Sequence, residues 1–376
     1  MRAIGKETVE IRVISNSSKI AEMESDWNAL VNVSCNNPFM LSEFVKQFVD
    51  SNRSTSWIPF ILVISVKNST IGIAPFIVRR RLGVRFAKFT YESVLSPDFI
   101  VQNKYREICI AITLDFLFRN LKCKFIDLPL SADSPTLDIL RKQSSARGIN
   151  FKINAELDHR KLPIEGTWAE FRKLRGRNFR HKFKKIERKL SQAGSWKVVS
   201  ADGNDEPETV KRILAVERTS WKERWRAQSG EKTDKELLAI LHASMHTAGR
   251  EPDFKWKVWF LELNRQTLAY LLVIQYKKIA FITKGSYNEQ YKRFYPGIYI
   301  RNYVIHELFN KGEVKSIDFL TNFPYHQTWT SICVPRVRVA LAKGFVPTIA
   351  RIIFESAGVT KIRRSLLNPF IQHLAI

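Results

Sequence analysis

Gly285–Asn302 reads GSYNEQYKRFYPGIYIRN. It opens at the end of an apolar run, IAFITKGSY, whose composition predicts a β-strand, and it closes inside PGIYIRNYVIHELF, whose spacing predicts a helix. Pro296 presets the first helical turn, Gly297 lets backbone come close, and Lys292 and Arg293 stand just before the start. The first N–H groups of a helix are unpaired and lie at its positive dipole end, so a strand, a basic loop and a helix start suit a pyrophosphate. The strand VKSIDFL follows the helix. A crossover of this kind makes the two strands splay where the helix enters, and a crevice beside Gly297 is expected.

The same order of elements recurs in the first half. Upstream of the quoted stretch, WKVWFLEL, LAYLLVIQY and IAFITKGSY predict an antiparallel meander. In the first half two short helices, EMESDWNALV and PFMLSEFVKQFV, precede a meander formed by IPFILVISVKNSTIGIAPFIVRRR and VRFAKFTYES around an Asn68-Ser69 turn. A helix from Lys104 to Arg119 leads to KFIDLPL, in the slot that KSIDFL fills later, and Ser134-Pro135 starts another helix that Gly148 ends before INFKINAE. The second half opens on the capping box Thr167-Trp168-Ala169-Glu170. Then come a basic helix, WKVVSA, the helices PETVKRILAVERTSW and DKELLAILHASMHTAG, and finally VRVALAK. An α/β protein of two tandem modules is expected, each a mixed, mostly antiparallel sheet flanked by helices. The expected divisions are 1–160, 161–345 and a basic amphipathic tail at 346–376. That tail suits either packing on the first module or peripheral contact with an anionic membrane.

Composition sets bounds on function. The 376 residues carry 61 Lys and Arg against 36 Asp and Glu, a formal +25, which favours anionic partners without choosing among them. Cys35, Cys109, Cys123 and Cys333 lie far apart with no metal-ligand spacing, so no metal and four buried reduced thiols are expected. No uncharged apolar run reaches the length of a membrane span and no signal-type segment opens the chain, which reads as cytoplasmic.

Tyr287, Tyr295-Pro296-Gly297, Asp318-Phe319-Leu320, Tyr325 and Trp329 together resemble the C-terminal motifs of the CelD-like acetyltransferase family, a branch of the GNAT superfamily. SDWNALVNVSCNNPFMLSEF, GIAPFIVRRRLGVRF and the Glu217, Ser220, Trp221, Lys222 series resemble its earlier segments, so the likeness runs from Trp27 to Trp329. Asn322 stands where that family has Gly, and His326 where it has Lys. The resemblance implies two GNAT-like modules, as in Fem-type peptidyltransferases. It also implies acetyl-CoA or another acyl-CoA as donor, and transfer to an amine or hydroxyl of a small polar or saccharide acceptor by direct attack. Fem-type relatives use aminoacyl-tRNA, which leaves that donor as an alternative. A basic nucleic-acid-binding protein without catalysis is another.

On this reading Lys292, Arg293, Tyr295, Gly297 and Ile298 hold the donor. His326 is the first candidate for proton acceptor, because an imidazole titrates near neutral pH, and Glu217 is the second. Tyr325 lies beside His326, and Asp318 either orients the acceptor or caps the next turn. In LRGRNFRHKFKKIERKL, Leu174–Leu190, the residues Phe179, Phe183, Ile186 and Leu190 form a buried stripe. Arg175, Arg177, Arg180 and Lys184, with Trp221 and Lys222, then clamp phosphates or an anionic acceptor, or the basic face is simply solvated.

Overall fold

The chain is described by a computed structural model over residues 3–4, 7–51, 56–81, 83–90, 95–202, 206–223 and 235–344; the tail expected at 346–376 lies outside the described residues. Ala3–Ile4 (β1) and Glu7–Ile14 (β2) open it, followed by helices Ser17–Ala21 (α1), Glu24–Ser34 (α2) and Ser42–Ser51 (α3). The helices expected at the start are therefore preceded by a strand: Val9, Ile11 and Val13 alternate with polar residues and pair with the next strand. Ile58–Val66 (β3), Ser69–Arg81 (β4) and Val84–Phe89 (β5) are the expected meander, and Ile100–Val101 (β6) pairs with β4. Asn103–Asp115 (α4), Cys123–Ser131 (β7), Thr136–Ser145 (α5) and Asn150–Ala155 (β8) complete the first half.

His159–Pro163 (β9), unforeseen in the sequence, leads to Trp168–Leu174 (α6), Arg177–Ala193 (α7), Trp196–Ala201 (β10), Glu206–Arg218 (α8) and Lys235–Thr247 (α9). Phe254–Leu263 (β11), Gln266–Tyr276 (β12) and Ile279–Tyr287 (β13) form the second meander. Pro296–Lys311 (α10), Ser316–Asp318 (β14), Cys333–Val334 (β15) and Arg336–Ala342 (β16) end the described chain. Two-residue turns at Lys67-Asn68, Asn264-Arg265 and Lys277-Lys278, all with positive φ, close the hairpins β3/β4, β11/β12 and β12/β13. Such turns match the right-handed twist of the paired strands.

The sheets do not partition at 160. One runs β1-β2-β3-β4-β5-β7-β16-β8, and the other β10-β11-β12-β13-β14-β9-β15. β9 crosses into the second sheet beside β14, and β16 returns to the first between β7 and β8. VRVALAK, read as the last strand of the second module, belongs to the first sheet because its partners there satisfy both edges. Arg338 fixes that insertion: its Nε meets Glu156 Oε2 at 2.7 Å and its Nη1 pairs with buried Asp127.

Alternation divides each strand between two cores. Phe254, Trp256, Val258 and Phe260 of β11, with Tyr270, Leu272 and Ile274 of β12, pack with α2, α3, α8 and α9 against the first sheet. Trp259, Leu261, Leu271 and Val273 face the other way, onto α6, α7 and α10. Asn28 and Asn32 both donate to Glu251, and Lys277 Nζ donates to the Cys35 carbonyl at 2.8 Å, tying the two sheets through the shared inner layer. Cys109 and Cys123 are buried thiols pushed up to about 12 by burial, whereas Cys35 is only partly buried and Cys333 is exposed, against the expectation of four buried thiols. Among the described residues no helix is long and apolar enough to cross a membrane.

Candidate active site

β13 and β14 are parallel and pair only through Ile279/Ser316, Ala280/Ile317 and Phe281/Asp318. Beyond that point the strands part. β14 stops because Leu320 takes a left-handed conformation with its N–H held by Asp318 Oδ1 at 2.8 Å, while β13 runs on to Tyr287. Asn288 N–H donates to the Leu268 carbonyl at 2.8 Å. By the alternation of an antiparallel pair, the N–H and C=O of Gly285 and Tyr287 then point away from β12, to the open edge. A side chain at 285 has no room, since a Cβ there would lie 2.7 Å from Leu271 Cδ1.

The outer side of this gap is the first turn of α10. Tyr295, left-handed, is its N-cap, and its carbonyl takes the N–H groups of Ile298 and Tyr299, while the Gly297 N–H has no acceptor among the described residues. A Cβ on Gly297 would sit 3.0 Å from the Tyr287 ring, so this glycine lets the helix start rest on that ring. Arg301, one turn further, folds back to donate to the Gly297 carbonyl at 3.1 Å and lies 4.9 Å over the Tyr325 ring. It is 8% exposed, and among the described residues its Nε has no partner and it makes no ion pair. A buried cation without a counter-charge is costly, which marks this gap as a place for an anionic or strongly accepting ligand. Nothing in the sequence reading named Arg301; the available signal was a lone arginine on the apolar side of IYIRNYVIHELF.

The inner side carries different groups. Buried Glu217, at the end of α8, accepts from Tyr270 Oη at 2.7 Å and from Lys222 Nζ at 3.2 Å, and Lys222 also donates to the Gly285 carbonyl at 3.1 Å. Ser286, also buried, has an Oγ with no partner among the described residues. Glu217, Lys222 and the open edge of β13 thus meet at one point, and Trp221 is partly buried beside them.

The other expected site residues distribute less evenly. His326 is 2% exposed, and its Nδ1 bonds the Thr321 carbonyl at 3.0 Å. Burial first, then Arg301 and Arg160, lower it to about 2. A lowered imidazole stays neutral near neutral pH and is a weaker base than the ordinary imidazole expected there. Asp318 caps the Leu320 turn and meets His159 Nε2 at 3.2 Å. Tyr325 is raised, chiefly by burial, and so holds its proton. Lys292 and Arg293 are exposed in a 3-10 turn, Tyr295 is 52% exposed, and Ile298 is partly buried. Arg175 is turned inward, stacked 4.6 Å over Phe171 and donating to the Trp329 carbonyl, so it braces the loop after β14. Arg177, Arg180 and Lys184 lie on the exposed face of α7.

Residues 177–327 match the acetyltransferase (GNAT) domain family. Among solved structures the chain is similar to FemX, with 12% identity, a TM-score of 0.55, and 88% of this chain and 96% of that one covered. It is also similar to L-PGS from Bacillus licheniformis, with 8% identity, a TM-score of 0.54, and 89% and 96% covered. No curated protein matches at the sequence level. The match to the acetyltransferase (GNAT) domain thus falls on the second meander and its flanking helices, within a mixed α/β fold of two sheets flanked by helices.

Proposed function

We propose that this protein is an acyltransferase that takes an acyl group from acyl-CoA, held between β13 and β14, and passes it to an amine or hydroxyl arriving on the inner side. The observation that carries the reading is the parting of β13 and β14 after Phe281 and Asp318, beside the start of α10. The residues present fit a pantetheine thioester: the outward-facing backbone of Gly285 and Tyr287, of which the Gly285 carbonyl is held by Lys222, the Gly297 N–H, and the Nε of Arg301, which has no partner among the described residues. When bound, the donor supplies the activated carbonyl.

The acceptor nitrogen or oxygen forms its bond to that carbon, the carbon–sulfur bond breaks, and the acceptor proton must leave while the sulfur gains one. Glu217, oriented by Tyr270 and Lys222, serves as the proton acceptor, and the buried, lowered imidazole of His326 supports that choice. Tyr325, protonated at neutral pH, serves as proton donor to the sulfur. Lys222 positions Glu217 and covers the Gly285 carbonyl until the donor takes the edge. The CelD-like motifs support an amino sugar or saccharide as acceptor. Isothermal titration with acetyl-CoA and dephospho-CoA tests the donor: saturable binding weakened by loss of the phosphate is expected, and no binding of either would end the reading. With a donor bound, Glu217→Gln lowers kcat by about a hundredfold and leaves donor affinity unchanged.

A further inference from the structure

The helix α7 carries Arg177, Arg180, Lys182, Lys184, Lys185, Arg188 and Lys189, and among the described residues none of them makes an ion pair. Elsewhere the protein pairs its surface cations freely, as in Lys142 with Glu107, Arg119 with Asp115, Arg212 with Glu262 and Lys255 with Glu313. The lone acid of α7, Glu187, is occupied otherwise, accepting from Tyr299 Oη at 3.2 Å. That bond fixes where α7 lies: against the first turn of α10, with Lys189 Nζ 5.6 Å over the ring of exposed Tyr295. The unneutralised face therefore begins at the mouth of the proposed donor slot and extends along 17 residues, about 25 Å.

One nucleotide does not need so much. For a free coenzyme with its phosphates at the start of α10, Lys292 and Arg293 of the preceding turn and Lys189 beside Tyr295 are the neighbouring cations, which leaves the other cations of α7 unused. The only exposed ring on α7 is His181, whose Nε2 accepts from Arg177 Nε at 3.0 Å, and the helix exposes no Phe, Tyr or Trp on which successive bases can stack. At its N-terminal end Leu174 stands 86% exposed, an apolar contact set among arginines. A basic face of helical length with an apolar contact at one end complements an acidic helical protein surface.

We propose that α7 is the docking surface for an acidic carrier protein that presents the acyl thioester on a phosphopantetheine arm, the arm entering the slot at Tyr295. This rests on the acyl-transfer reading and names its donor class. The bond changes are unaltered: the carbon–sulfur bond breaks, the acceptor takes the acyl group, and the thiol stays on the carrier's arm with the proton that Tyr325 gives.

The test uses the full chain, a purified acidic acyl carrier protein in its acetylated form, acetyl-CoA, and bulk tRNA as the nucleic-acid probe. Lys185→Glu combined with Arg188→Glu changes two exposed residues outside the slot. Expected is carrier binding by the wild type that the double variant weakens about tenfold, with acetyl-CoA affinity unchanged. Acetyl-CoA binding with no carrier binding would overturn the proposal and leave the acyl-transfer reading standing. Binding of tRNA but not carrier, lost in the double variant, would make α7 a nucleic-acid surface instead. Failure of both acetyl-CoA and carrier to bind would remove the acyl-transfer reading as well.

Discussion

Burial of His326 has a measurable consequence for stability. In an unfolded chain this imidazole takes an ordinary value of 6.5, and in the folded protein it is lowered to about 2. Between those values the unfolded chain binds a proton that the folded one refuses, so stability is present above pH 6.5 and is lost as the pH falls. Going from 6.5 to pH 5 crosses one and a half pH units at about 1.4 kcal/mol each, a loss of about 2 kcal/mol. In His326→Asn the side-chain amide still donates to the Thr321 carbonyl but does not titrate. Urea denaturation followed by tryptophan fluorescence, at pH 7 and pH 5 for both proteins, isolates the term: the wild type should lose about 2 kcal/mol more than the variant. In imidazole NMR spectra the resonance missing from the variant should not move between pH 8 and pH 5. Equal pH dependence of the two proteins, or a titrating resonance near 6.5, would refute the assignment and return His326 to candidacy as a base.

Three further outcomes follow from the same contacts. Arg301→Met should raise the melting temperature of the free protein, because a buried cation without a counter-ion is removed, and weaken acetyl-CoA binding about tenfold or more in titration calorimetry. Gly297→Val should destabilise by about 1–3 kcal/mol through collision with the Tyr287 ring, and Tyr287→Leu in the same chain should restore part of that in thermal unfolding. Arg338→Ala leaves Asp127 and Glu156 buried without their cation and should cost about 3–5 kcal/mol in chemical denaturation, the loss shrinking when both acids are neutralised as Asn and Gln.

Local pattern made most of the elements legible. Period-two apolar runs marked β3, β4 and β11 to β13, the Thr167–Glu170 capping box marked α6, and Gly148 marked a helix end. Lys277-Lys278 was harder, since neither residue announces a left-handed turn; the geometry of two long paired strands imposes it. The sequence likewise pointed to the stretch around Gly297, because a strand end, a basic loop and Pro-Gly are neighbours along the chain.

Amino-acid order by itself determined the doubling of the architecture, the crossover that opens β13 from β14, and the amphipathic basic helix, all of which depend on interactions between residues a few positions apart. Only the tertiary structure decided that β9 and β16 exchange sheets, that Arg175 turns inward while Arg301 takes the gap, and that His326 is sealed from water. Those outcomes depend on which surfaces cover a side chain, and burial, which sets both its charge and its partners, is a property of distant segments brought together.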